Sequence, residues 1–123
     1  MPGRASYILK QHGLTSNSEL TERVASALFN SGLYEKAGEL YEKLGNNERA
    51  FNAYRKGKAF RAAVEISRTA FPQEVINLEE QWGDYLVSIK QVEAAINHYI
   101  EAGQSIKAME AAINSKQVKK NFY

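Results

Sequence analysis

The stretch Gly32-Leu33-Tyr34-Glu35-Lys36-Ala37-Gly38-Glu39-Leu40-Tyr41-Glu42-Lys43-Leu44-Gly45-Asn46-Asn47-Glu48-Arg49-Ala50-Phe51-Asn52-Ala53-Tyr54-Arg55-Lys56-Gly57 decides the fold. Between its first two glycines Leu33, Ala37, Leu40, Tyr41 and Leu44 recur at i+3 and i+4, the apolar stripe of an amphipathic helix. Ala50, Phe51, Ala53 and Tyr54 repeat the stripe before the third glycine. Each glycine can take the left-handed conformation that ends a helix, and Asn46-Asn47 suits a tight turn into the next one. The stretch therefore predicts a helical hairpin. Ala37, Gly38 and Ala50 stand where two helices must approach closely, and Tyr34, Tyr41 and Tyr54 fill the gaps beside them. That is the packing logic of a tetratricopeptide-type repeat.

Downstream, Lys58 to Ala70 predicts a further helix with Ala59, Ala62, Ala63, Ile66 and Ala70 inward. Phe71-Pro72 ends it, forcing an extended residue before a proline that suits the first turn of the next helix. The longest predicted helix runs from Pro72 to Ile89, with Val75, Leu78, Trp82, Leu86 and Ile89 on one stripe and Asn77, Glu80, Gln81, Asp84 and Ser88 opposite. After Lys90 the opening stretch returns. Ala37, Tyr41, Gly45, Arg49 and Ala50 match Ala95, Tyr99, Gly103, Lys107 and Ala108 at one ungapped offset of 58 residues. This offset is not a multiple of the tetratricopeptide period, so the array is irregular, with 58–89 as a variant unit. A helix over 105–113 is predicted to close the second hairpin, with Ser115 to Tyr123 starting another that is cut short.

Upstream, residues 1–13 predict one short helix with Pro2 near its start and Gly13 as its stop. Ser16 and Glu19 have capping-box spacing, and Leu20, Val24, Ala27 and Leu28 form the predicted buried stripe of the helix that follows. The organisation read from the chain is a short helix and polar turn over 1–18, a repeat array over 19–114 and a truncated helix over 115–123. The fold class is all-α: an irregular, tetratricopeptide-like, right-handed α-solenoid of about seven to eight helices. Ala37, Gly38, Tyr41, Ala50, Tyr54, Trp82, Ala95, Tyr99 and Ala108 are its expected packing residues. Because each helical pair buries its face only against neighbours, and no outer cap is evident near Val118 and Phe122, the chain is expected to be a piece of a longer solenoid.

Composition narrows the function. Charged residues are 24% of the chain and the formal charge is +2, too small by itself to imply nucleic acid or a membrane. No cysteine supplies a disulfide or thiolate metal site, no apolar run is long enough to span a bilayer, and the start lacks a secretory core, so the chain reads as cytosolic. There is no phosphate loop, nucleophile motif or dinucleotide fingerprint, and the reading is a non-enzyme with no cofactor, metal or small-molecule substrate. His12 and His98 have no helical partner at metal-ligand spacing; Glu101 is placed for a surface pair with His98. Glu79, Glu80 and Asp84 read as a solvated face rather than a general acid in a pocket.

Charge is unevenly spread. From Arg49 to Arg68 there are six basic residues and one acidic one; from Glu74 to Asp84 there are four acidic residues and no basic one. Arg49, Arg55, Lys58, Arg61 and Arg68 together with Glu80 and Asp84 are therefore candidates for orienting a protein partner, because charge patterns set encounter and register. The alternative is helices pairing across their rims. Without exposed aromatics interleaved, the basic stretch argues against nucleic acid.

Leu33-Tyr-Glu-Lys-Ala-Gly-Glu-Leu-Tyr-Glu-Lys, Ala70-Phe-Pro-Gln-Glu-Val-Ile-Asn-Leu-Glu-Glu-Gln-Trp-Gly-Asp-Tyr-Leu-Val and Gln91-Val-Glu-Ala-Ala-Ile-Asn-His-Tyr-Ile-Glu-Ala-Gly-Gln-Ser-Ile-Lys-Ala carry a specific resemblance. They resemble the helical-repeat region of the largest peripheral subunits of intraflagellar transport complex B, a family of WD-repeat propellers followed by a tetratricopeptide-like solenoid. The Phe71-Pro72 to Gly83-Asp84 block and the Ala94 to Tyr99 run are its most specific parts. The resemblance implies a scaffold in cilium assembly and ciliary protein transport, with complex B subunits as partners, located in cytoplasm, cilium or flagellum and basal body. It carries no catalytic residues. The rival readings are a vesicle-coat subunit, which shares the propeller-plus-solenoid plan, and a nucleic-acid-binding helical repeat using 49–68.

Overall fold

Five helix ends adopt one backbone solution in the computed structural model of the chain, which describes residues 17–122, with side chains described up to Ser115. The described helices are α1 (17–30), α2 (Tyr34–Lys43), α3 (Asn47–Lys56), α4 (Phe60–Ala70), a 3-10 turn (Pro72–Glu74), α5 (Val75–Ser88), α6 (Val92–Glu101) and α7 (Ser105–Phe122). No strand occurs among the described residues, so the fold is all-α and of helical-repeat type. The short helix expected over 1–13, the cap at Ser16 and His12 lie outside the described residues.

A left-handed residue follows each of α1, α2, α3, α5 and α6: Gly32, Gly45, Lys58, Lys90 and Gly103. In each case the next residue's N–H reaches back to close the last turn, as in Leu33 to Leu28 O at 2.8 Å, Asn46 to Tyr41 O at 2.9 Å and Gln104 to Tyr99 O at 2.8 Å. Ala59 to Tyr54 O at 2.9 Å and Gln91 to Leu86 O at 2.7 Å complete the set. This is the Schellman closure, which satisfies carbonyls that a helix end otherwise strands.

The structure corrects the expectation for Gly57. Its φ is −84°, and Lys58 takes the left-handed position at φ 61°. Gly57 is needed for space instead, since a Cβ there would lie 2.7 Å from Tyr34 Cβ. Lys58 and Lys90 hold a conformation that costs a side-chain-bearing residue about 1–2 kcal/mol. Lys58→Gly and Lys90→Gly are each expected to raise the unfolding free energy by about 1 kcal/mol after glycine's extra unfolded-state freedom is counted, read as a higher urea midpoint.

The chain divides into two compact units, Met1–Ala59 and Phe60–Tyr123. In the first, α2 packs along α3. Ala37, Gly38, Tyr41, Ala50, Ala53 and Tyr54 are all buried there. A Cβ on Gly38 would lie 2.6 Å from the Tyr54 ring, so the ring lies on bare helix backbone, and the Tyr54 hydroxyl donates to Glu42 Oε1 at 2.7 Å. On α1 the buried face is not the expected Leu20, Val24, Ala27 and Leu28. Leu20 and Val24 are exposed, and Ala25 is buried, with the Phe29 ring edge-on to Tyr34 at 5.1 Å. Two overlapping stripes fit the same periodicity.

In the second unit α4 packs on the 3-10 turn and α5, α5 on α6, and α6 on α7. Phe71 is extended at φ −140° before Pro72, which opens the 3-10 turn. The buried face of α4 is Phe60, Ala63, Val64, Ile66 and Ser67. This shifts the expected alanine stripe by one flank, because Phe60 seats its ring against Trp82 and Tyr85 at centroid distances of 6.1 and 5.6 Å. Leu86, Ala95, Tyr99, Ala108 and Ala111 form the core between α5, α6 and α7, with Trp82, Val92, Ala94 and Ile96 packed against it. Ile89, expected inward, is exposed at the end of α5. The break expected before Ser115 is absent: α7 runs unbroken through Phe122, since no glycine or proline stands in that span to stop it.

Candidate protein-interaction surface

The acidic face of α5 is used within the fold. Glu79 is only 6% exposed, and its Oε2 lies 2.7 Å from His98 Nδ1 on α6. One turn further on, the Trp82 ring stacks on the His98 ring at 3.9 Å and 23°. Glu80 Oε2 and Asp84 Oδ1 accept from Lys107 Nζ on α7 at 2.9 and 3.4 Å. The expected solvated face is corrected at Glu79, which is buried; Glu80 is half-buried and Asp84 is exposed, as expected, and the expected His98 to Glu101 pair gives way to Glu79. A buried carboxylate has to be paired, and no buried side-chain nitrogen or oxygen among the described residues lacks a partner. Glu79 and Trp82 stand three residues apart on one helix; that spacing next to Leu78 is the signal by which sequence could have found the cluster.

Tyr99 completes the α5–α6 contact. Its hydroxyl donates to Asp84 Oδ1 at 2.6 Å, and a Cβ on Gly83 would lie 2.6 Å from its ring. Burial, then the hydrogen bond to Asp84, push its phenol from 10.0 up to about 12. Burial and then Glu42 raise Tyr54 likewise. The hydrogen bond that it donates to Glu80 foremost holds the Lys107 ammonium above its ordinary value. A proton held more tightly by the folded chain stabilises it fully below pH 10 and ceases to do so as pH rises through 12. Alkaline unfolding should therefore steepen across that window. Tyr99→Phe is expected to flatten it and to cost about 1 kcal/mol at neutral pH, as read by urea titration at a series of pH values.

Of the expected basic residues, Arg49 Nη1 on α3 pairs with Glu22 Oε1 on α1 at 2.9 Å and lies over the Tyr41 ring. Both partners are more than half exposed, so the pair contributes at most about 1 kcal/mol. Arg55 lies over the Phe51 ring at 5.4 Å. Lys58, Arg61 and Arg68 are exposed and, among the described residues, hold no ion pair. The positive groups open to a partner are thus Arg55 and Lys58 in the first unit and Arg61 and Arg68 on α4 in the second. Glu80 and Asp84 meet a partner only in competition with Lys107. Among the described residues no three His, Cys, Asp or Glu side chains are grouped to hold a metal ion, and no helix is long and apolar enough to cross a membrane.

The chain is 52% identical over its whole length to the intraflagellar transport protein 172 homologs of Danio rerio and Homo sapiens. It is 45% identical over 98% of its length to intraflagellar transport protein 172 of Chlamydomonas reinhardtii. The chain matches a segment of intraflagellar transport protein 172. It spans 7% of the length of these relatives and so corresponds to one segment of an intraflagellar transport protein 172. No protein-family profile matches it.

Proposed function

We propose that the chain acts as a non-enzymatic protein-interaction scaffold, a segment of an intraflagellar transport protein working in cilium assembly and ciliary protein transport. The observation that carries this reading is the 52% identity to intraflagellar transport protein 172 homologs, which spans the full chain. The partners are then protein subunits of intraflagellar transport complex B, met in the cytoplasm, at the basal body and in the cilium or flagellum. The exposed positive groups, Arg55 and Lys58 in the first unit and, separately, Arg61 and Arg68 in the second, support partners with acidic faces, since exposed charge steers encounter and register.

Affinity capture from ciliated-cell lysate tests the reading, comparing the purified chain with an Arg55→Glu, Lys58→Glu, Arg61→Glu form by mass spectrometry. Retention of intraflagellar transport proteins by the first and their loss from the second is the expected result. Retention of none by either form overturns the scaffold role. Retention that falls steeply with salt and brings down nucleic acid would point to the basic helices as a nucleic-acid surface instead.

A further inference from the structure

Among the described residues of the second unit, Glu79, His98 and Trp82 form a cluster in which a buried ionisable side chain meets a titratable base between two packed helices. The Glu79 side chain is 8% exposed and the His98 side chain 21%, so the carboxylate is shut from water while the imidazole keeps a route for its proton. On its other partner, the imidazole lies flat on Trp82, whose ring is backed in turn by Phe60. An imidazolium is attracted both by the carboxylate and by the negative face of the indole, whereas a neutral imidazole offers each only a dipole. With the ring protonated the buried pair is neutral overall; with the ring neutral it leaves one uncompensated buried charge.

We propose that this cluster is a protonation-dependent latch that holds α6 on α5 more firmly when the His98 ring is charged. Other charged groups around it do not substitute for the proton. On α5, Glu80 and Asp84 take Lys107 from α7. On α6, Glu93 and Glu101 are exposed; on α7, Glu110 is exposed; on α4, Arg61, Glu65 and Arg68 are exposed; Glu74 of the 3-10 turn is half-buried. The sign follows from the charge state: the latch is closed on the acid side and is lost as pH rises and the ring gives up its proton.

Trp82 is the chain's one tryptophan, so its emission reports this site alone. The test is urea unfolding of the 123-residue chain followed by Trp82 fluorescence at pH about 5.5 and about 8, a span that brackets histidine titration. Wild type is compared with His98→Gln and Glu79→Gln. The wild-type folding constant is expected to be about five-fold larger at the lower pH. His98→Gln should abolish that difference, with any contribution of His12 cancelling in the comparison. Glu79→Gln should reduce it. The same pH dependence in wild type and His98→Gln, or none in wild type, overturns the latch. If both variants fail to fold, amide protection of α5 and α6 in the wild type decides, taken relative to the base-catalysed intrinsic exchange rate at each pH: lower protection at the higher pH, in step with a change in Trp82 emission, supports the latch, and equal protection overturns it.

Discussion

Phe60→Ala is expected to lower the stability of the second unit by about 3–4 kcal/mol, the usual range for deleting a buried aromatic ring. Phe60 is only 4% exposed at the first residue of α4, and its ring is the contact that ties α4 to Trp82 and Tyr85 of α5. A cavity there cannot close by shifting Trp82, because that ring is already stacked on His98. Small domains are stable by about 5–15 kcal/mol in total, so the loss is a large fraction of the whole. Phe60→Leu, which keeps most of the volume, should cost about 1.5 kcal/mol or less. Trp82 emission during urea unfolding reads both variants, and an unchanged slope with a lowered midpoint identifies the effect as native-state packing.

Gly83→Ala is the second large effect, and two opposed terms set its size. Alanine in a helix interior is favoured over glycine by about 1 kcal/mol. Against this, the new Cβ would stand 2.6 Å from Tyr99 Cε1 and 2.8 Å from Cδ1, and the ring is pinned by its hydroxyl on Asp84 and by burial among Leu86, Ala95 and Ala108. Overpacking of this kind costs about 1–3 kcal/mol, and the rigid ring puts this site at the upper end or beyond, so the net loss is expected near 2 kcal/mol. The same substitution in a Tyr99→Leu background should be neutral or stabilising, because the clash is gone and the helix preference remains. A double-mutant cycle by urea unfolding measures the difference directly. Equal losses in both backgrounds would show that the close approach of α5 to Tyr99 is not what glycine serves at this position.

That approach also explains why part of the architecture was legible in sequence and part was not. Gly38, Ala50 and Tyr54 return at Gly83, Ala95 and Tyr99, a shift of 45 residues that pairs the α2–α3 hairpin with α5–α6. The sequence match at 58 residues pairs α2 with α6 instead. Both are real, because ten-residue helices closed by three-residue turns put similar residues on successive helices, and linear matching cannot tell which helix plays which role. Only the position of the ring over the bare glycine resolves it.

Gly45 and Gly103 announced their turns, whereas Lys58 and Lys90 adopt the same backbone without a glycine to signal it. The burial of Glu79 and the pairing of Glu80 were not legible because their partners lie 19 and 27 residues away, at His98 and Lys107, beyond any helical spacing. Phe60 was passed over because the alanines beside it make a cleaner stripe, yet its ring fills the space they leave. Lys58, Arg61 and Arg68 are exposed and hold no ion pair among the described residues, which leaves them free for the role proposed for them.

Exchange of the matching segment of Chlamydomonas reinhardtii intraflagellar transport protein 172 for this chain, in cells lacking the resident protein, measures most directly whether these residues serve intraflagellar transport. At 45% identity the chimera should restore flagellar assembly, and a chimera carrying Gly83→Ala should restore it poorly. A chimera present at normal abundance in cells that build no flagella would contradict the proposed role.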